Sequence, residues 1–247
     1  MPGKVLERES VKLPQPLIEG RFYRREGRFK AYAYFNGELE SLHVHDPGRL
    51  KELLVEGARV LARPHATPRR RTQLYLVAVW SDGCWVLVDS AIHVKLAEEA
   101  IKQGRIEELR GVDVVGREPR RGRGRLDLLL ERPNGVKVLV EVKGCTLTVD
   151  GVALFPDAPT VRGRRHLEEL IEAAKEGFEC YVLFLVAHCR AREFRPNFEV
   201  DEGFARLLLK AAEEGVKPIA YKLRFEGGEV LVDGRLPVIL SPLRRPP

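Results

Sequence analysis

From residue 17 to about residue 89, apolar and polar positions alternate in short runs with the period of two that marks half-buried strands. The runs LIEGRFYRRE, RFKAYAYF, ELESLHV, ARVLARP, TQLYLVAVW and CWVLVDS are separated by Gly27 and by the hairpin dipeptides Asn36-Gly37 and Asp82-Gly83. One short helix is expected between the third and fourth runs. Asp46 can accept from free backbone N–H groups as its N-cap, and Pro47 at the first helical position gives up no hydrogen bond. Five or six strands with one helix inserted at that point predict a small OB-like β-barrel, an architecture that commonly binds single-stranded nucleic acid.

After Ser90 the period changes. IHVKLAEEAIKQG reads as an amphipathic helix closed by Gly104, followed by strands near VDVVGRE, LDLLLE and VKVLVEVK. A second helix carries Leu167, Leu170, Ile171 and Ala174 on one face and leads into the buried strand YVLFLVA. A third, FARLLLKAAEEG, turns Leu207, Leu208 and Ala211 inward and stops at Gly215, with one more strand after it. The expected fold is therefore α+β in two domains: an OB-like nucleic-acid-binding barrel over 1–89 and a mixed α/β domain over 90–247. No repeat or low-complexity tract interrupts it, and the tail SPLRRPP is expected to fray.

Composition narrows the class. At 247 residues, 44% hydrophobic and 32% charged, the chain can bury a substantial core. No stretch reaches the roughly 18 uninterrupted apolar residues of a membrane span, and the N-terminus lacks the apolar segment of a secretory signal, so a soluble cytoplasmic protein is expected. Cys84, Cys145, Cys180 and Cys189 have no CxxC spacing and are expected to be buried thiols rather than zinc ligands or a redox pair. Only three Asn and three Gln stand beside abundant Arg and Glu, a bias shared by hyperthermophile proteins. In such proteins an intracellular disulfide, Cys180 with Cys189 for example, is compatible with the redox environment.

A net charge of +6 points to a polyanionic partner, and the distribution of arginines sharpens that expectation. They cluster in FYRREGRFK, PHATPRRR, GREPRRGRGR and VRGRRH. Any one cluster is ordinarily solvated surface, but four of them, one flanked by Phe22, Tyr23 and Phe29, predict a nucleic-acid-binding face with DNA as the foremost partner. The candidate contacts are Arg21, Tyr23, Arg24, Arg25, Arg28, Arg70, Arg71, Arg121, Arg123, Arg125, Arg162, Arg164 and Arg165. The last three sit with His166 at a helix N-terminus, where backbone donors favour a phosphate.

The chemistry concentrates in LDLLLERPNGVKVLVEVKG (126–144). Pro133-Asn134-Gly135 makes a turn, so the two flanking strands pair antiparallel, and Lys137, Leu139, Glu141 and Lys143 share one face of the second. A turn centred on Asn134 brings Asp127 level with Glu141. Two carboxylates at that separation suit a hard divalent ion, Mg²⁺ or Mn²⁺, and Lys143 projects beside them. An E-x-K triplet alone is more often an ion pair on a solvent-facing strand. Asp127 in matched register, the upstream acid Glu118, the basic flanks and the helix–strand order together make it similar to the PD-(D/E)XK nuclease core.

Residues 141–170, EVKGCTLTVDGVALFPDAPTVRGRRHLEEL, resemble the signature of the sugar fermentation stimulation protein (SfsA) family: EVK-x-x-TL, FPDA and T-x-RG-x-x-HL-x-EL. GRFYRREGRFKAYAYFNG, LHVHDPGRLKELL and GRGRLDLLLE extend the resemblance over nearly the whole chain. It implies an OB-like domain, a nuclease-like domain, DNA binding and a suggested link to sugar metabolism. Two positions depart from the pattern. Val161 stands where many members have Glu, and DPGRL resembles an archaeal variant of its loop.

The site expected is Asp127, Glu141 and the Val142 carbonyl around Mg²⁺ or Mn²⁺, with Lys143 handling the proton and Glu118 as a further carboxylate. A non-catalytic DNA-binding regulator whose nuclease-like domain is only a platform remains the alternative, and RNA remains open as a substrate. Asp157 is expected to serve loop structure or capping, His43 and His45 as ordinary strand residues, and Cys145 as packing. No GxSxG, HExxH or P-loop occurs, which argues against serine hydrolase, zincin and NTPase chemistry.

Overall fold

In the computed structural model, which describes residues 10–64, 72, 74–122 and 124–243, the alternating first half curls into a closed barrel. Arg70, Arg71 and Arg123 lie outside the described residues. Strands β1 (Ile18–Glu26), β2 (Lys30–Phe35), β3 (Glu38–His43), β4 (Arg59–Pro64) and β5 (Leu74–Ser81) pair antiparallel in the order β3-β2-β1-β4-β5. A parallel pairing of β3 with β5, Leu42 opposite Leu74 and His43 opposite Tyr75, closes the ring. Phe22, Ala31, Ala33, Phe35, Leu42, Val60 and Ala62 are the inward positions of the alternation and are buried. β6 (Cys84–Leu87) folds back on β5 through the Asp82-Gly83 turn.

The short helix expected after Asp46 does not form. The Asp46 carboxylate accepts from Gly48 N at 2.7 Å, an Asx turn, and Leu50 takes a left-handed φ of 48°. The carbonyls a helix would need are already engaged. Arg25, reaching from β1, donates to the backbone oxygens of Arg28, Asp46, Gly48 and Arg49. A long-range guanidinium has outcompeted a local start signal.

The second half is led by α1 (His93–Lys102) and built on a seven-stranded sheet. Its order is the short strand Val11–Lys12, then β12 (Glu229–Leu236), β11 (Val216–Glu226), β10 (Glu179–Val186), β9 (Lys137–Cys145), β8 (Leu128–Glu131) and β7 (Asp113–Arg117). β9, β10 and β11 are parallel, joined through α2 (Val161–Lys175) and α3 (Glu202–Glu213), while β7, β8 and β12 run antiparallel to their neighbours. The hairpin into β12, the strand at Val11–Lys12 and a small sheet of Thr148–Val149, Val152–Phe155 and Glu193–Pro196 were not expected from the sequence.

β9 is the hinge of the packing because both its faces are covered. Val138, Val140 and Val142 join the core that runs through α1 and the barrel. Leu139 joins the core beneath α2 and α3, so Glu141 and Lys143, of the same parity, face those helices. One residue on, Gly144 lies under the ring of His93 from α1. A Cβ there would stand 2.0 Å from the ring's Cε1, so any other residue would displace the His93 ring.

Besides the shared core, the barrel is tied to the sheet domain at two ends. Asp157, beyond the capping or loop role expected of it, accepts from Leu50 N of the barrel at 3.1 Å and presses against Gly48, where a Cβ would meet its oxygens at 2.4 Å. At the other end, Cys84 of β6 is disulfide-bonded to Cys189 after β10, and Arg190 donates to the Asp82 carbonyl at 3.1 Å. This corrects the sequence expectation of unpaired thiols or a Cys180–Cys189 bond: Cys180 is free and buried, its inward place on β10 leaving it no partner within reach.

The disulfide closes a loop of sequence separation 105, for which chain entropy alone gives a stabilisation of about 4–5 kcal/mol. Denatured, non-reduced protein is expected to show two titratable thiols, Cys145 and Cys180, and Cys84→Ser is expected to lower Tm by several degrees. Four thiols, or a Tm insensitive to reductant and to the substitution, would rule the crosslink out.

Candidate functional site

The site forms where β8 ends. Leu128 pairs with Val140, so Asp127, the residue before β8, stands opposite Glu141, the level predicted from the turn at Asn134. Asp127 Oδ2 accepts from Val142 N at 2.7 Å, in effect continuing the ladder with a side chain. Because a strand residue sends its N–H and C=O to the same edge, the Val142 carbonyl also faces this end of β8.

Glu141 is 2% exposed, and its Oε1 accepts from both Lys143 Nζ and His166 Nδ1. Oε2 is buried and has no hydrogen-bond partner among the described residues. A buried carboxylate oxygen left without a donor costs on the order of 1–3 kcal/mol. Burial opposes ionisation of Glu141, but the charge of Lys143 and the hydrogen bond and charge of His166 outweigh it and hold the carboxyl below its ordinary range. Asp127 behaves oppositely. Burial and the adjacent Glu141 charge push it up to about 6, against the pull of the Val142 N–H. Two neighbouring carboxyls whose proton affinities diverge, one raised first by burial and then by the charge of the other, mark a candidate functional site.

His166 was assigned from the sequence to a phosphate-binding helix end, and its inward role was missed. It is 2% exposed, one turn into α2, with Arg162 Nε donating to its Nε2 at 3.3 Å. That acceptor role leaves the ring proton on Nδ1, directed at Glu141. α2 is held in this orientation at its start: Thr160 caps it by accepting from Gly163 N at 3.0 Å, and Asp201 accepts from Thr160 N at 2.8 Å while capping α3. The HL in the T-x-RG-x-x-HL block, at helical spacing from Leu170 and Ile171, was the signal that could have placed His166 on the buried face.

The other predicted residues disperse. Glu118 is exposed, its side chain paired with Arg125 at 2.9 Å, though its backbone N–H bonds the Asp127 carbonyl at 3.0 Å. Arg162, Arg164 and Arg165 are engaged with His166, Asp201 and Glu169 respectively. Arg121 pairs with Glu176 and lies over Phe178. Arg25 is half-buried in the loop described above, whereas Arg21, Arg24 and Arg28 are exposed on the barrel, Arg24 over the Tyr32 ring and Arg28 over Phe29. Tyr23 packs against Tyr34 with ring centroids 5.6 Å apart.

The donor set is of the kind that takes a small divalent ion: two carboxylates in register, one of them with an unpartnered buried oxygen, and a carbonyl on the same edge, all hard ligands. Comparison with known proteins follows the two halves of this architecture. Residues 24–88 match the family model of the SfsA N-terminal OB domain, and residues 91–229 that of the sugar fermentation stimulation protein RE domain. The chain is 46% identical over 230 residues to the sugar fermentation stimulation protein homolog of Pyrobaculum arsenaticum, covering 93% of this chain and 97% of that one. With the homolog from Methanothermobacter thermautotrophicus identity is 43% over 228 residues, 92% of each chain. The solved structure of Pyrococcus furiosus SfsA in complex with Ca²⁺ aligns at TM-score 0.86 and 33% identity, over 93% of this chain and 99% of that one.

The raised Asp127 carboxyl carries a stability consequence. Its contribution is present below the unfolded value near 3.8 and is lost as pH rises through about 6, so ionisation at neutral pH costs on the order of 2–3 kcal/mol. Asp127→Asn keeps an acceptor for Val142 N–H and removes the charge. In chelator, thermal unfolding is expected to give the variant a higher Tm than wild type at about pH 8, with the gap narrowing toward about pH 4. An equal or lower Tm at about pH 8 would mean that burial and the Glu141 charge do not penalise ionised Asp127.

Proposed function

We propose, from the premise that the chain belongs to the sugar fermentation stimulation protein family, that it binds DNA and hydrolyses phosphodiester bonds with a divalent cation at Asp127 and Glu141. The observation that carries this is the unpartnered, buried Oε2 of Glu141 beside a carboxylate in matched register. That a relative of 33% identity was solved with Ca²⁺ supports a divalent ion, and the all-oxygen donor set supports Mg²⁺ or Mn²⁺ as the working one.

Asp127, Glu141 and the Val142 carbonyl are the residues that would hold the ion, while the Glu118 carboxylate is engaged by Arg125 on the exposed rim. Bound there, it supplies Lewis-acid polarisation of a phosphate oxygen and a water of lowered pKa. Lys143, only 15% exposed, presents a positive charge at the same face, where it positions the attacking water or stabilises charge developing on phosphate. His166 donates to Glu141 Oε1 and helps fix that carboxylate, leaving Oε2 without a donor. Exposed Arg24, Arg28 and Arg125 supply phosphate contacts around the two domains.

The alternative, a non-catalytic DNA-binding regulator, is favoured by one feature: within the protein Lys143 gives Glu141 a positive charge and His166 gives it a hydrogen bond, so the fold holds this carboxylate without any ion. Cleavage of labelled DNA in Mg²⁺, Mn²⁺ or chelator separates the two. Asp127→Asn and Glu141→Gln are expected to abolish metal-dependent cleavage, and Lys143→Ala to reduce it by about 10²–10⁴-fold while retaining metal binding. DNA affinity is expected to survive all three. Tight DNA binding with no cleavage by wild type in either metal would establish the regulator instead.

A further inference from the structure

At the end of the seam closed by the disulfide, a third metal-binding side chain stands against the two sulfurs. Cys84 opens β6 directly after the Asp82-Gly83 turn of the barrel, and Cys189 lies in the turn by which the chain leaves β10. His188, the residue before Cys189, is only 3% exposed although it belongs to that loop. A ring nitrogen of His188 and the sulfurs of Cys84 and Cys189 all lie within 4.8 Å of one another. A crosslink needs no imidazole, and nothing described above uses this one.

The ring is oriented at both nitrogens. Arg190 N donates to Nδ1 at 3.2 Å, which leaves the ring proton on Nε2, and Nε2 faces Asp82 Oδ2 at 3.4 Å. A ring N–H directed at a carboxylate is the arrangement that fixes imidazole for a metal on its other nitrogen. Arg190 is exposed, so its N–H can turn to water when an ion takes Nδ1. Burial outweighs the opposing charge of Asp82 and holds the ring's pKa below its ordinary value, which keeps it neutral, the form that ligates. Cys189 is exposed as well, so an external thiolate has access to its sulfur.

We propose that Cys84, His188 and Cys189 form a redox-gated zinc site across the seam, closed as a disulfide when oxidised and able to take Zn²⁺ once a dithiol has reduced it. The reduction moves two electrons: the attacking dithiol leaves as its own disulfide, and the S–S bond becomes two thiols. Zn²⁺ then displaces both thiol protons and binds the two thiolates and the His188 nitrogen, with water in the fourth position and Asp82 behind the ring. Thiolate and imidazole select zinc, whereas the oxygens of Asp127 and Glu141 suit Mg²⁺ or Mn²⁺, so the two sites take different ions. Cys84 belongs to the barrel and the other two ligands to the sheet domain. Either form therefore pins the same seam, by a covalent bond under oxidising conditions and by a metal under reducing ones.

The test uses the full chain with Co²⁺ as a spectroscopic substitute for Zn²⁺. Chain reduced with a phosphine and desalted without oxygen is expected to develop thiolate-to-cobalt charge-transfer absorption that Zn²⁺ bleaches, and the disulfide form to develop none. Replacing both cysteines, Cys84→Ser with Cys189→Ser, is expected to abolish that absorption although Cys145 and Cys180 remain. Asp82→Asn, at an exposed turn, is expected to weaken zinc binding by about 10- to 100-fold. X-ray absorption at the zinc edge of the unmutated reduced chain, which does not depend on variants folding, is expected to show sulfur at about 2.3 Å and nitrogen or oxygen at about 2.0 Å. Absorption undiminished in the double variant, an all-oxygen shell around zinc, or no zinc bound by the reduced chain would each overturn the site. None of these outcomes bears on the carboxylate site.

Discussion

A carboxylate 2% exposed in the middle of a mixed sheet has to be compensated, and the compensation of Glu141 organises the second domain. Lys143 can reach it because a strand repeats its face every two residues. His166 can reach it only if α2 lies across β9, which the cap at Thr160 and the double role of Asp201 enforce. The same alternation sends Val138, Val140 and Val142 to the opposite face, where they join the barrel's core. One strand thus carries the charged site on one side and the seam between domains on the other.

That seam includes the chain's own passage between the domains. Asp89 accepts from Ala91 N, capping the turn Ser90–Ile92 that leads into α1. α1 then sets His93 over Gly144, next to Lys143. The Leu50–Asp157 contact and the Cys84–Cys189 bond hold the two units in register at separate points.

What was legible in the sequence was local. The barrel strands, the three helices and the level of Asp127 with Glu141 all follow from periodicity and from the length of one turn, and a hairpin's register needs no knowledge of the rest of the chain. What failed depended on distant partners. The helix start at Asp46-Pro47 was a sound signal defeated by Arg25, which takes the carbonyls the helix required. His166 looked like part of a basic, solvated helix end because its target is 25 residues away. The cysteines of the disulfide are separated by 105 residues, and no spacing rule reaches that far. The hairpin at Gly227-Gly228 leading into β12 was a local signal present in the sequence and not used.

The central claim is that Asp127 and Glu141 form a divalent-cation site, and anomalous diffraction from crystals grown with Mn²⁺ measures that most directly. The account predicts one strong anomalous peak within coordination distance of an Asp127 oxygen and Glu141 Oε2, on the edge where the Val142 carbonyl points, with the His166–Glu141 hydrogen bond intact. A map with no peak between those carboxylates, or with manganese bound only elsewhere on the chain, would contradict it.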